Sequence, residues 1–294
     1  MNKSFTLIEI LVVIVVVGIL STFILVGISS ITNSANITKS KAFENSLRNS
    51  LLTSLISEWK LDGNANDSWS TNNGTITGHE PLIESENNCI DKNCFNFNGT
   101  SSTYVYIGNN PRPTGSQTIS LWYKLNNYNP SVSLTIIGGI SFSSGIDCGH
   151  AIGLTTDGRF FSDIYSGDPY GNHRSSAILY YPKDNKWHFI VSTYDTSANI
   201  HKLYLDNQMD PNTPNFLNYR IEWGTRTLNI GKGDNDRYFD GLVDEVIFYN
   251  DTISAFEVNQ KYFIGLNKLY IKKNLAEIEY NKKLTGLQSN LIKQ

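Results

Sequence analysis

The chain has 294 residues, 40% of them hydrophobic and 17% charged, which excludes a disordered chain and allows one large or two modest domains with a buried core. Its net charge of −3 lacks the basic excess that phosphate neutralisation requires, so no nucleic-acid partner is expected. Sixteen Tyr and 14 Phe favour strands and surfaces that contact sugars.

Residues 7–28 form an apolar run long enough to span a bilayer, for which about 20 residues are needed. One acid, Glu9, sits inside it, and a carboxylate there costs a few kcal/mol unless something pairs with it. A cleaved secretory signal fits poorly, because the basic leader is only MNKS, the run is too long and no small-residue cleavage site follows. Lys3 on one side and Lys39 and Lys41 on the other do not fix the orientation. Phe43, Leu47, Leu51 and Leu55 then recur every four residues, which predicts one apolar helical face. No proline falls between Phe5 and Trp59, so the spacing predicts one helix over 5–57, about 80 Å long.

Beyond Trp59 the period changes to two. Strands are predicted at Thr118–Leu125, Trp187–Asp195, His201–Asn207, Arg226–Gly231 and Gly241–Asn250, with Gly, Asn, Asp and Pro clusters between them. Trp122 and Trp187 fall in strands and are expected in the core. This spacing predicts an antiparallel sandwich or jelly roll over 58–265. Residues 266–294 return to helix formers, with six Lys against two Glu. This basic tail is read as a solvated or docked helix, or as a contact for an anionic surface or neighbouring subunit. The fold class is α+β: a long N-terminal helix, a β-sandwich jelly roll and a short helical tail.

Cys89 and Cys94 bracket a short polar loop and would form a disulfide in an exported domain, or remain two free thiols; Cys148 is left over as a buried thiol. Catalysis is not expected. A retaining glycosidase needs two carboxylates about 5 Å apart, whereas Asp244 and Glu245 are adjacent on a strand, and Glu277 and Glu279 sit in the helical tail. Asp244 shares strand parity with Val246 and Phe248, which places it toward the core, where it needs either a calcium ion or hydrogen bonds. For ligands, the segment 165–174 offers Tyr165, Tyr170, His173 and Arg174 among glycines, and 233–241 adds Tyr238 with several acids. These residues suit a sugar platform, or else are ordinary surface turns.

The stretch SFTLIEILVVIVVVGIL resembles the N-terminal methylation segment of type IV pilins and pseudopilins. The resemblance implies a leader of residues 1–4, cut by a prepilin peptidase between Ser4 and Phe5, and methylation of Phe5. It also implies that Glu9 pairs with the N-terminal amine of an adjacent subunit. Ser4 stands where that family usually has Gly. The protein would then be a single-pass cytoplasmic membrane protein before assembly, and afterwards part of an extracellular pilus-like filament or the cell surface.

The region 58–262 resembles the laminin G-like, concanavalin A-like lectin/glucanase superfamily, through WKLDGNANDSWSTNNGTITG, CFNFNGTSSTYVYIG, TISLWYKL, WHFIVSTYD, KLYLDN and FDGLVDEVIFYNDTISAFEV in that order. That resemblance implies a structural calcium joining Asp67 to Asp244, although Trp69 and Ser70 stand where glycine is common. Together the two resemblances imply a minor pilin or pseudopilin that displays an adhesive, glycan-binding domain. The alternative is a major filament subunit whose β domain packs against its neighbours without binding sugar.

Overall fold

The chain divides into two compact units, 1–50 and 51–294. The computed structural model describes residues 11, 38, 41–78, 82–99, 103–126, 131–138, 149–165, 172–212, 227–233, 237–272 and 275–292. In the first unit, residues 41–50 are helical (α1), as the spacing of Phe43 and Leu47 predicts. The apolar run 7–28 lies outside the described residues, Leu11 excepted. Among the described residues no helix is long and apolar enough to cross a membrane.

The helix predicted through residue 57 stops earlier. The amide and the hydroxyl of Ser54 both donate to the carbonyl of Leu51, at 3.2 and 3.1 Å, and this turn ends the helical ladder. Leu55–Trp59 then form β1, which pairs antiparallel with the last strand of the sandwich. Trp59 is fully buried and its indole N–H donates to the Asn72 carbonyl at 2.8 Å. Tertiary pairing thus overrides a local sequence pattern compatible with helix.

The strands after β1 are β2 (Thr75–Thr77), β3 (Leu82–Glu84), β4 (Cys94–Asn98), β5 (Tyr104–Gly108), β6 (Gln117–Leu125), β7 (Leu134–Gly138) and β8 (Gly149–Leu154). They continue with β9 (Arg159–Tyr165), β10 (Asn172–Tyr180), β11 (His188–Asp195), β12 (Ile200–Leu205), β13 (Gln208–Met209), β14 (Leu228–Ile230) and β15 (Asp240–Tyr249). One sheet has the order β13-β12-β11-β6-β15-β4-β3, with β1 also on β15; the other runs β10-β9-β8-β7-β14-β5-β2. Every pairing is antiparallel, which gives the expected jelly-roll sandwich. Alternation along β6 sends Ile119, Leu121, Tyr123 and Leu125 into the core between the sheets, where Phe97, Phe160 and Phe248 meet them.

One end of that core is polar. Gln117, His150, Ser162, Ser192 and His201 are all buried there, each from a different strand. Ser192 Oγ lies 2.6 Å from His150 Nε2, 2.8 Å from His201 Nε2 and 2.7 Å from Ser162 Oγ, and Gln117 Nε2 lies 3.1 Å from His150 Nδ1. Burial holds the His201 imidazole down to about 3, and burial with the neighbouring His201 holds His150 well below its ordinary value. Both rings are therefore neutral; hydroxyls meet their Nε2 atoms, and the Gln117 amide meets His150 Nδ1.

Two helices lie on the outer face of the first sheet: α2 (Ala255–Ile271), closed at its start by a Ser254–Glu257 capping box, and α3 (Glu277–Ile292). The helical region therefore begins at Ala255, ahead of residue 266. Trp122 is buried, but on this outer face and not between the sheets: its ring stacks on Tyr262 of α2 at 5.7 Å. Tyr270 and Tyr280 stack at 4.4 Å and hold α3 to α2. Two lysines of the basic tail meet acids of the sandwich, Lys268 with Asp91 at 2.9 Å and Lys283 with Asp206 at 3.4 Å. The tail is thus a docked helical hairpin.

Candidate functional site

The outer face of the second sheet presents a patch of rings and hydroxyls. In β5 the sequence YVYIG alternates, so Val105 and Ile107 face inward while Tyr104 and Tyr106 face out. Register places Thr75 of β2 and Asn229 of β14 on either side of Tyr106, with Thr77 beside Tyr104. Tyr106 is 40% exposed.

After β14 the chain turns at Gly231, whose φ of +84° suits glycine and where a Cβ would lie 2.6 Å from the Phe97 ring. The turn delivers Lys232 into an antiparallel bridge with Tyr238. The Tyr104 and Tyr238 rings lie 6.5 Å apart at 42°, and the Lys232 ammonium sits 4.6 Å over the first and 5.2 Å over the second. Ring faces attract cations and the C–H surfaces of saturated rings, while Thr and Asn side chains exchange hydrogen bonds with hydroxyls. This patch can accommodate a polyhydroxylated ligand.

Of the ligand candidates named from the sequence, Tyr238 lies beside this patch, itself buried at 9% exposure. Tyr165 ends β9, and His173 and Arg174 lie within β10, paired with Ile164 and Asp163, so the predicted loop 165–174 is shorter than expected. Those strands form the opposite edge of the sheet from β5 and β2. The structure does not bring the two groups together. Tyr170, Ser4, Phe5, Glu9 and Cys148 lie outside the described residues. Sequence reasoning missed Tyr104, Tyr106 and Lys232, although the alternation of YVYIG carried the signal for the first two.

Asp244 departs from its expected orientation. Its strand bulges: Asp244 pairs with Trp122 but Ile247 with Ser120, and Glu245 takes a φ of +51°. The bulge re-phases the strand, so Val243, Val246 and Phe248 face the core, whereas Asp244 shares the outer face with Trp122. There Asp244 Oδ2 accepts the amides of Ile90 and Asp91 at 2.8 and 3.3 Å. Burial, with the charge of Glu245, pushes the Asp244 carboxyl well above the usual carboxylate range.

Cys89 and Cys94 form a disulfide beside Asp244, their sulfurs and its oxygen all within 4.8 Å of one another. Asp67 serves a different loop: its Oδ1 accepts the amides of Glu58, Trp69 and Ser70 at 2.9–3.0 Å, and Oδ2 that of Asn72 at 3.3 Å. Among the described residues Asp244 Oδ1 is buried without a hydrogen-bond partner. Calcium takes six to eight oxygens, and the acidic and sulfur-bearing side chains grouped with Asp244 are the two disulfide cysteines.

A second concavity, about 880 Å³, lies between α3 and the edge of the first sheet, lined by Tyr180, Asp206, Tyr262, Ile278, Lys282 and Lys283. Lys283 is engaged there, donating to Asp206 and, at 3.0 Å, to the Tyr262 hydroxyl. Nearby His188 lies 2.7 Å from Asp206 and 2.9 Å from Asp184; burial lowers its pKa, but the two carboxylates outweigh burial and raise it.

With this sandwich and ring patch in place, the comparisons with known proteins assign the class. The chain belongs to the concanavalin A-like lectin/glucanases superfamily, whose model matches residues 98–259. Residues 1–25 match the prokaryotic N-terminal methylation motif, so the chain joins a pilin-type N-terminus to a lectin-like domain. No curated protein matches it.

Among solved structures, it is similar to domain 4 of AbnA, a GH43 extracellular arabinanase from Geobacillus stearothermophilus, in complex with arabinotriose. The identity is 19%, coverage is 71% of this chain and 98% of that one, and the TM-score is 0.54. The botulinum neurotoxin serotype D ligand binding domain in complex with N-acetylneuraminic acid is similar at 18% identity, 74% and 52% coverage and a TM-score of 0.54. The serotype D binding domain follows at 16% identity, 75% and 53% coverage and a TM-score of 0.56. The chain thus spans about half of each neurotoxin chain, 52% and 53%. At these identities the likeness shows the fold alone.

Proposed function

We propose that this chain is a minor pilin-like subunit whose β-sandwich binds extracellular glycans through the face formed by Tyr104, Tyr106 and Tyr238. The observation that carries the reading is the exposed Tyr106 ring, held in register between Thr75 and Asn229 beside a second pair of tyrosines. Rings flanked by hydroxyl and amide groups suit a ligand with both a C–H face and hydroxyls. Arabinotriose and N-acetylneuraminic acid, bound by proteins of similar fold, support the same ligand class.

The domain acts as a binding module and not as an enzyme. Supporting this, Asp244 and Glu245 lie at a strand bulge, and Asp244 Oδ2 accepts two backbone amides. The methylation motif supports cleavage before Phe5, membrane insertion, and pairing of Glu9 with a neighbour's amine during assembly. The bulk of the 51–294 unit favours a minor place in the filament over a densely packed major one.

The test is a glycan array probed with the full-length chain in detergent. Binding that Tyr106→Ala removes, without lowering the melting temperature, supports the reading. Absence of binding to every glycan refutes it.

A further inference from the structure

The geometry points to a second site, separate from the ring patch: in its dithiol form the Cys89–Cys94 pair, with Asp244, holds a zinc-class metal ion, and the disulfide is the metal-free state of that site. The donors come from firmly placed positions. Cys94 opens β4, Asp244 stands on β15, which pairs with β4, and Cys89 follows the short helical turn Glu86–Asn88. All three residues are buried, and one donor atom from each lies within 4.8 Å of the others. Asp244 also keeps an oxygen in reserve. Its Oδ2 accepts the amides of Ile90 and Asp91, whereas Oδ1 is buried with no hydrogen-bond partner among the described residues. A buried oxygen left this way is costly, and a bound cation relieves it.

Two sulfurs and one oxygen select the metal. Thiolates favour zinc and similar ions, whereas calcium and magnesium take oxygen donors throughout. With Zn–S of about 2.3 Å and Zn–O of about 2.1 Å, the donors of a tetrahedral site stand about 3.6–3.8 Å apart. The cysteine Cα atoms, 5.6 Å apart, allow both sulfurs to reach one ion. The loop between them is positioned without help from the S–S bond: Ile90 and Asp91 donate to Asp244, the Asn93 amide donates to Asp62 Oδ1 at 3.1 Å, and Lys268 pairs with Asp91. These contacts keep the sulfurs neighbours once the bond opens. The Glu84 carbonyl, 3.7 Å from Cys89 Sγ, offers a further oxygen there.

A dithiol reductant converts one state to the other. Its two S–H bonds break and its own disulfide forms, while the Cys89–Cys94 bond takes up the two electrons and two protons and becomes two thiols. The metal ion then replaces the thiol protons and the proton of the Asp244 carboxyl, which leave to water.

The experiment uses the full-length chain in detergent, with Cys148→Ser to remove the third thiol. The chain is reduced with a phosphine, desalted without oxygen, and titrated with cobalt(II) and then zinc. The expected result is a thiolate-to-cobalt charge-transfer band that zinc displaces, with no band from the oxidised chain. Asp244→Asn should keep the band but weaken zinc binding by about tenfold or more. In the chain with Asp244 intact, zinc should also shield Cys89 and Cys94 from alkylation, read by peptide mass spectrometry. Any one of four results overturns the site: no band from the reduced chain, alkylation that zinc does not slow, unchanged zinc affinity in Asp244→Asn, or equal affinity in the chain unfolded by urea.

Discussion

The polar end of the core predicts how the fold responds to acid. Burial holds His201 neutral in the fold, its pKa lowered to about 3, whereas an unfolded imidazole titrates at about 6.5. Below about pH 6.5 the unfolded chain therefore binds a proton that the native one refuses. Stability rises with pH across this window: the contribution is complete above about 6.5 and is lost progressively as pH falls toward about 3. At 1.36 kcal/mol per unit, acidification from pH 8 to 4.5 costs on the order of 2–3 kcal/mol from His201 alone. His150, also held below its ordinary value, adds loss in the same direction.

Other groups titrate too. Asp206 and Asp91, held low by His188 and Lys268 against their own burial, also lose stability in acid. His188, raised by its two carboxylates, contributes below about 6.5 and loses that contribution as pH rises through its folded value. The assay must therefore compare variants. Urea unfolding, followed by fluorescence of the buried Trp59 and Trp122, should be measured at both pH values for the wild type and for His201→Gln. Gln keeps an amide near Ser192 but carries no titrating group, so its loss between pH 8 and 4.5 should be smaller than that of the wild type by on the order of 2–3 kcal/mol. Equal losses, or a His201 ring that titrates near 6.5 by NMR, would refute the neutral buried cluster.

Three further outcomes are expected. Gly265→Ala places a Cβ 2.1 Å from Trp122 Cζ2, so overpacking of about 1–3 kcal/mol should outweigh the helix-propensity gain of about 1 kcal/mol; a neutral or stabilising result in urea would mean that α2 does not rest on Trp122. Adding calcium or a chelator should move the melting temperature by less than about 1 °C, because the donor set around Asp244 does not suit that ion; a rise of several degrees with calcium would restore the metal. Mass spectrometry of the mature protein should find an N-methylated Phe5, whereas an intact Met1 would remove the chain from the pilin pathway.

Much of the sandwich was legible because its strands carry period-two patterns. Gln117–Leu125, His188–Asp195 and Asp240–Tyr249 each lie within a residue of the predicted limits. No strand was predicted between Leu125 and Trp187, yet β7 to β10 fill that interval. In β8 and β9 the inward positions include His150 and Ser162, which bond to partners on β11 and β12, so the apolar alternation is interrupted by residues satisfied only in three dimensions. The ring patch was half legible for a related reason. Tyr238 stood out in a polar loop, but its partners Tyr104 and Lys232 come from β5 and the end of β14, which only the sheet order brings side by side. The Asp244 error has a local cause: one bulged residue, Glu245, reverses the parity on which strand arguments depend.

The central claim is that the Tyr104–Tyr106–Tyr238 face holds the ligand, and it is tested most directly by NMR of tyrosine-ring-labelled full-length protein titrated with the tightest glycan from the array. The account predicts that the ring resonances of Tyr104, Tyr106 and Tyr238 shift together and saturably, while Tyr180 and Tyr262 in the α3 groove stay fixed. Shifts confined to Tyr180 and Tyr262 would place the ligand in that groove and contradict the claim.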